Sequence, residues 1–460
     1  MCNSLTQARA SVELADIFVR HAEHYIDEHG VSAYQHKAIN AISRCRTAAL
    51  GGHVLCCNYC GASDISYNSC RYRHCPKCQT SKKLRWLEDR KAELLPVPYF
   101  HVVFTLPHEL NPIASYNPVA IYNLLFKAAW ATVETLGRDK NRLNGKTGML
   151  GFLHTWGQNL SQHIHLHCMI PGGALRETDE GMQWKSSKKD YLFPSRVMSK
   201  LFGKLFISAL ATAYNNQELT FKGAISDLVD PTCFSTFKSQ LTKKSWNVYA
   251  KEPFNGAAGG IEYLARYFAK TAIGNERIIS MDDHHVTFKW RDYADDNKTK
   301  IMRLAAHEFI RRYLSHILPD GFMRVRYFGF LASSCKRKNL EMIRSLLGPV
   351  PQSSLHDDQE LYEQESSTTA ITPLTHAITA LHPAHQPSSL IISHSILDST
   401  ALSFNHIETS APQQESVVEL MKRVAGIDIE QCKSCKIGRL QKIEEIKPRL
   451  PGTHEAWDTS

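Results

Sequence analysis

The sequence predicts an α+β fold, and three observations carry that prediction. Amphipathic helical stretches and short β-branched or aromatic runs alternate without a strict βαβ rhythm. Two apolar runs, GMLGFLHTWG and HIHLHCMI, are joined by the polar turn QNLSQ, as in an antiparallel hairpin or neighbouring strands of one sheet. A cysteine-rich stretch from Cys45 to Cys78 divides a helical N-terminus from the mixed region that follows. At 460 residues the chain is too long for one compact core, so several domains are expected.

In chain order, residues 8–43 space apolar side chains three and four apart through VELADIFVRHAEHYI and YQHKAINAI, which predicts helix. After the cysteines comes a charged helix, SKKLRWLEDRKAELL, stopped by Pro96 and Pro98. YFHVVFTLP reads as a buried strand and 113–136 as helix, ahead of the two hairpin strands. Residues 195–217 and 234–244 are predicted helical, and WNVYAKEPF extended. The turn NGAAGG then introduces the helical pattern IEYLARYFAKTAI. HVTFKWRDY alternates as a strand, LAAHEFIRRYLSHI is a helix, and RVRYFGFL is a last strand. From about 350 the chain turns rich in Ser, Thr, Gln, Pro and His, the composition of a flexible linker.

The apolar fraction of 43% and charged fraction of 22% are ordinary for a soluble protein. No run of 18 apolar residues appears, so no membrane span is expected. The opening MCNSLTQARASVELAD lacks the apolar core of a signal peptide, which predicts a cytoplasmic protein. There the thirteen cysteines point to metal before disulfides. The net charge of +9 is mild, but between Arg71 and Lys91 eight basic residues face two acidic ones. Arg71, Arg73, Lys77, Lys82, Lys83 and Arg85 in that run, interleaved with Tyr72 and Trp86, suit a phosphate backbone, or else a solvated helix face.

Cys57-x2-Cys60 and Cys75-x2-Cys78 together supply four thiolates, the ligand set of a tetrahedral structural Zn²⁺ site. Fourteen residues separate the pairs, one short of the usual spacing. Cys45, His53, Cys70 and His74 are left in the segment, either as a second zinc site or as small buried side chains. Cys432-x2-Cys435 stands alone near the C-terminus; Lys436 and Arg439 follow it, as in an accessory metal knuckle.

In a strand, residues i and i+2 share a face, so His165 and His167 can both reach one ion, with His163 one step further along. A third ligand should come from a neighbouring strand. His154, eleven residues before His165 across the turn, fits that role; Gln158 is the alternative. Tyr263 and Tyr267 lie four apart on the expected helix IEYLARYFAK, on one face. Tyrosine can act as a covalent nucleophile, and Arg266 and Lys270 on that helix could contact phosphates.

His–hydrophobic–His followed by Tyr–x3–Tyr resembles the HUH, two-tyrosine class of single-strand nucleases. CRTAALGGH, RHCPKC, YFHVVFTLPHEL, HIHLHCMIPGG, YLARY and EFIRRYLSHILPDGF resemble the rolling-circle insertion-sequence transposases of the IS91 group, in the expected order over about residues 10–347. The resemblance implies an antiparallel palm sheet carrying the histidines, with flanking helices, and an N-terminal zinc module for DNA. It implies His165 and His167 as ligands of Mg²⁺ or Mn²⁺, although imidazole-rich sites by softness alone favour later transition metals. Tyr263 and Tyr267 would be the nucleophiles, and single-stranded DNA, element ends and target DNA the partners. The expected division is a helical segment over 1–44, a zinc-binding DNA-binding module over 45–95, a catalytic domain over 96–347, a linker over 348–416 and a tail over 417–460. A replication initiator or relaxase with the same chemistry, and a non-catalytic zinc-dependent DNA-binding protein, are the rival readings. A small-molecule metallohydrolase would leave the basic cysteine module unexplained.

Overall fold

The computed structural model describes residues 12–251, 271–348 and 415–449, the side chains of 79–83, 417 and 425 apart. It has the mixed class expected: helices with antiparallel sheets. Helix α1 (Leu14–His29) starts where Asp16 accepts the Glu13 N–H at 2.9 Å and stops at Gly30, whose φ of 64° cannot continue a helix. Helix α2 (Ala33–Ser43) follows. Strands β1 (Gly52–Cys57) and β2 (Ser63–Tyr67) lie inside the cysteine stretch, ahead of α3 (Gln79–Lys91). Next come β3 (Tyr99–Thr105), α4 (Asn111–Tyr116) and α5 (Pro118–Arg138). The expected helix over 113–136 is thus two helices, because Pro118 has no N–H to extend the first and is well placed to open the second.

The hairpin is present as β4 (Gly148–Trp156) and β5 (Gln162–Pro171). A second hairpin, β6 (Gly173–Thr178) with β7 (Gly181–Ser186), follows. Then come α6 (Ser195–Asn215) and α7 (Pro231–Lys243), the latter capped by the Asp230 carboxylate accepting from the N–H groups of Thr232 and Cys233, and β8 (Asn247–Ala250). Beyond 270 the chain forms β9 (Ile278–Met281), β10 (His285–Asp292), β11 (Lys298–Ala305), α8 (Ala306–Leu314), β12 (Val325–Gly329) and α9 (Lys336–Leu347). Beyond 414 it forms α10 (Val417–Ala425) and β13 (Leu440–Ile446).

Two compact units result. The larger takes the described parts of Met1–Ser43 and Arg71–Ile371, the smaller those of Arg44–Cys70 and Thr372–Ser460. At the centre of the larger unit is a five-stranded sheet of order β12-β4-β5-β3-β8, antiparallel throughout. Alternate residues of β3 and β5 (Phe100, Val102, Phe104, Ile164, Leu166 and Ile170) are buried in one apolar core with Leu125 and Phe126 of α5 and Phe202 and Phe206 of α6. Burying each such side chain stabilises by about 1.5–3 kcal/mol, which fixes which face of each strand points inward. The opposite face carries Tyr99, Leu150, Phe152 and Met169, clustered with Trp86 of α3 and with Leu340 and Ile343 of α9. Towards the 157–161 turn this second face changes from hydrocarbon to imidazole.

In the smaller unit, three strands pair antiparallel in the order β13-β1-β2. β13 meets β1 from Gly52↔Ile446 to Cys57↔Leu440. Gly51 enters β1 at φ 69°, and a Cβ there would come within 2.4 Å of the Ile446 carbonyl oxygen, so only glycine allows this approach. Helix α10 begins with Ser416, whose Oγ accepts the Glu419 N–H at 3.2 Å while the Glu419 carboxylate takes the Ser416 N–H at 2.8 Å. Among the described residues no helix is long and apolar enough to cross a membrane.

Candidate active site

The turn between β4 and β5 is held unusually firmly. Gly157 N–H bonds back to the Ser161 carbonyl at 2.9 Å, and Leu160 sits at φ 61° with its side chain fully buried. Three consecutive turn carbonyls each take a side chain from later in the chain. Arg277 donates to Gln158, Arg312 to Asn159 at 3.1 Å, and His316 lies 3.0 Å from the Leu160 oxygen. Burial pushes the His316 pKa down to about 4, so it donates to that oxygen as a neutral imidazole. Gln158, the alternative ligand, is engaged otherwise: its amide donates to the Tyr293 hydroxyl at 2.9 Å.

This turn sets the register that brings the histidines together. His154 lies opposite His165, and Phe152 opposite His167, so all four side chains share one face. The ligand nitrogens of His154, His165 and His167 lie within 4.8 Å of one another. His154 and His167 are buried and His165 half-buried. His163, further along, is exposed and packs its ring 4.8 Å from that of His165.

The hydrogen bonds fix how these rings can be protonated. Nδ1 of His165 lies 2.8 Å from the His163 carbonyl, which can only accept, so the proton belongs on Nδ1 and Nε2 presents a lone pair. That lone pair faces Nε2 of His167 at 3.1 Å. Nδ1 of His167 is in turn 2.9 Å from Nε2 of His101 on β3. If His101 donates, the protons run as a relay to His165. If His167 donates to His101, two bare lone pairs face each other beside His154, an arrangement that a cation stabilises. The residues therefore fit a divalent ion, with His101 as the outer partner that fixes the His167 tautomer. Burial first, and then the charge of Lys251, pushes the His101 pKa down to about 4, so it is neutral and able to accept.

Sequence reasoning missed His101. Its signal was present: a histidine amid the apolar run YFHVVF, on the same strand face as Val103 and Thr105, which pair with His167 and His165. The expected nucleophiles Tyr263 and Tyr267, with Arg266 and Lys270, lie outside the described residues. The residues bordering that stretch are informative. Lys251 N–H bonds to the His101 carbonyl at 2.9 Å, and on the other side Arg277 bonds to Gln158 of the hairpin turn.

The cysteines do not group as their spacing suggested. The sulfurs within reach of Cys57 and Cys60 are those of Cys432 and Cys435, all four within 4.8 Å of one another, so the expected set of Cys57, Cys60, Cys75 and Cys78 is corrected to one that includes the tail. The reason is the β1–β13 pairing, which lays the distant CxxC beside the first. Cys75 and Cys78 are buried at a 3-10 turn of the larger unit. In the smaller unit the Cys70 N–H points at the Cys45 sulfur at 3.5 Å, and His53 lies on β1. His74 is not available as a ligand through Nε2, which accepts the Leu318 N–H at 3.2 Å, and its burial holds its pKa well below the usual histidine range.

The basic run likewise divides. Arg73 donates to the carbonyls of Leu318, Pro319 and Phe322 at 2.6–2.9 Å, and Lys77 is ion-paired with Glu13, both side chains largely withdrawn from water. These two expected DNA contacts hold the fold instead, because a guanidinium or ammonium with protein oxygens around it has little left for phosphate. Arg71 is exposed and Arg85 half-buried on α3; the side chains of Lys82 and Lys83 lie outside the description.

Comparison with known proteins adds an independent line. A family model described as "Putative transposase" matches residues 148–339, and one described as "Transposase zinc-binding domain" matches residues 17–106. The chain is 44% identical over 342 residues to "Putative transposase y4qJ" of Sinorhizobium fredii, covering 74% of this chain and 85% of that protein. It is 25% identical over 337 residues to the transposase for insertion sequence element IS801 of Pseudomonas savastanoi pv. phaseolicola, covering 71% and 79%. No solved structure matches the chain.

Proposed function

This chain belongs to the IS91-type transposases that carry an N-terminal zinc-binding domain, and from that membership we propose that it nicks and rejoins single-stranded DNA through 5′-phosphotyrosine intermediates in rolling-circle transposition. The observation that carries this reading is the convergence of His154, His165 and His167 on one face of a rigid antiparallel sheet. The five-stranded sheet is, in this reading, the palm of an HUH nuclease. The three imidazoles would hold Mg²⁺ or Mn²⁺, which when bound polarises a phosphate oxygen and lowers the barrier to displacement.

The chain's own residues do the rest. A phenolate of Tyr263 or Tyr267 attacks the scissile phosphorus, forms the phosphotyrosine bond, and the P–O3′ bond breaks. The released 3′ oxygen takes up a proton as a hydroxyl. Because one phosphodiester replaces another, the strand can be rejoined without ATP. With two tyrosines, one can hold the donor strand while the other cleaves a second site. The borders of the segment that carries them support this assignment, since Lys251 lies against His101 and Arg277 against the hairpin turn.

Element ends and target DNA are the substrates in this reading. Arg71, Lys82, Lys83, Arg85, Arg266 and Lys270 are its phosphate contacts. Zn²⁺ is its structural metal. Cys75 and Cys78 remain a ligand pair of the larger unit. Reduced thiols of this kind fit a cytoplasmic protein.

A labelled single-stranded oligonucleotide incubated with the protein and Mg²⁺ or Mn²⁺ should yield an SDS-resistant adduct that EDTA prevents. The double variant Tyr263→Phe, Tyr267→Phe should form none while still binding DNA. An adduct that survives this variant would remove the tyrosines from the chemistry.

A further inference from the structure

We propose that Cys57, Cys60, Cys432 and Cys435 bind one zinc ion between them, so that the C-terminal tail is a structural part of the zinc module. The inference rests on the smaller unit alone and holds whether or not the histidine site is catalytic.

The first observation is distance. Cys57 and Cys435 sulfurs are 3.7 Å apart, as are those of Cys60 and Cys432. A tetrahedron with Zn–S bonds of about 2.3 Å has S···S edges of about 3.8 Å. A disulfide would require about 2.05 Å. The second observation is that the two CxxC turns repeat one geometry. Gly61 N–H bonds to the Cys57 carbonyl at 3.1 Å, and Lys436 N–H to the Cys432 carbonyl at 2.9 Å. Both residues after the second cysteine are left-handed, Gly61 at φ 69° and Lys436 at φ 57°.

The third is that backbone N–H groups converge on the sulfurs. Tyr59 and Cys60 point at Cys57 Sγ at 3.4 and 3.5 Å, and Gly438 at Cys435 Sγ at 3.3 Å. N–H groups aimed at sulfur stabilise thiolate, the form that binds metal. A Cβ on Gly438 would lie 2.4 Å from Cys57 Sγ, so the tail packs against the first pair with room for hydrogen only. Asn58 and Arg439 lock the two turns together: the Asn58 N–H donates to the Arg439 carbonyl at 3.0 Å, and the Arg439 N–H to Asn58 Oδ1 at 2.8 Å. On binding, four thiols release four protons to solvent and form four Zn–S bonds; no oxidant or reductant is needed.

The test uses the full-length protein. Metal analysis should find that Cys57→Ser, Cys60→Ser loses one zinc per chain, that Cys432→Ser, Cys435→Ser loses one, and that the quadruple variant still loses one. A tail variant that keeps its full zinc, or losses that add to two in the quadruple variant, would overturn the proposal. Alkylation of the unaltered chain avoids any dependence on variant folding. All four thiols should resist iodoacetamide and become reactive together when zinc is chelated. Cys432 and Cys435 reacting as fast as exposed Cys233, while Cys57 and Cys60 stay protected, would show the pairs to be independent. A disulfide among the four in the freshly purified protein would also refute the site.

Discussion

The imidazole face of the central sheet and the four-sulfur cluster of the smaller unit solve the same problem in opposite ways. Each must hold several donors within a few ångströms. The imidazoles come from adjacent strands of one hairpin, eleven residues apart at their closest pairing, on a sheet whose other face is buried against helices. The sulfurs come from segments 372 and 378 residues apart, brought together by the pairing of strands β1 and β13. In the first case the protein builds the site and the ion would add chemistry. In the second, the ion would build the protein.

That contrast predicts where damage should fall. The largest effect is expected for His167→Ala, which removes a proposed ligand and breaks the bridge between His101 and His165. Loss of several kcal/mol of charge stabilisation lowers cleavage by about a hundredfold or more, with the fold retained. Near-normal single-strand cleavage by a correctly folded variant would exclude these histidines from the reaction. Zinc chelation followed by Mg²⁺ replenishment should do the reverse: amide protection over residues 52–57 and 440–446 should collapse while β4 and β5 stay protected, since structural zinc contributes about 10–16 kcal/mol to small cysteine modules. Equal loss of protection in both regions would erase the distinction.

A finer test is His101→Phe, which keeps ring volume but removes the acceptor that orients His167. Divalent-ion affinity should fall by about 10–100-fold with little change in melting temperature. If affinity is untouched, the His101–His167 contact is packing only. The smallest effect is expected at Ser416→Ala. Losing the α10 cap should cost the smaller unit about 1 kcal/mol, measurable by denaturation, and leave cleavage chemistry unchanged. A shift several times larger would mean that α10 carries more of that unit than its buried Leu420 and Met421 suggest.

The same contrast explains what could be read from the chain in advance. The hairpin was legible because its information is local: alternation fixes the face, and the turn QNLSQ fixes the register that sets His154 opposite His165. His101 was not, because its partner is 66 residues away and no spacing rule links them. The pairing of Cys432 and Cys435 with Cys57 and Cys60 was also hidden, across 372 and 378 residues. A clue lay in the lone CxxC, two thiols short of a tetrahedral site, with a small residue nearby to admit a neighbour. β6, β7, β9 and β11 escaped notice as well. Apart from Gly173–Leu175 of β6 and Ile278 of β9, their side chains are half-buried or exposed, as along Lys298–Ala305, so hydrophobic patterning marks them weakly. Arg73 and Lys77 show the converse failure: charge in a basic run says nothing of which cations the fold itself will consume.

The strand pairing of residues 52–57 with 440–446 also has a temporal meaning. A ribosome makes the chain from its N-terminal side, so the early strand must wait, one edge unsatisfied, until residues 440–446 have been made. A chain that stops after α9 would still contain every described element of the larger unit, yet it would leave the smaller one without its third strand. The sheet of the smaller unit is thus closed by a strand made long after its first two.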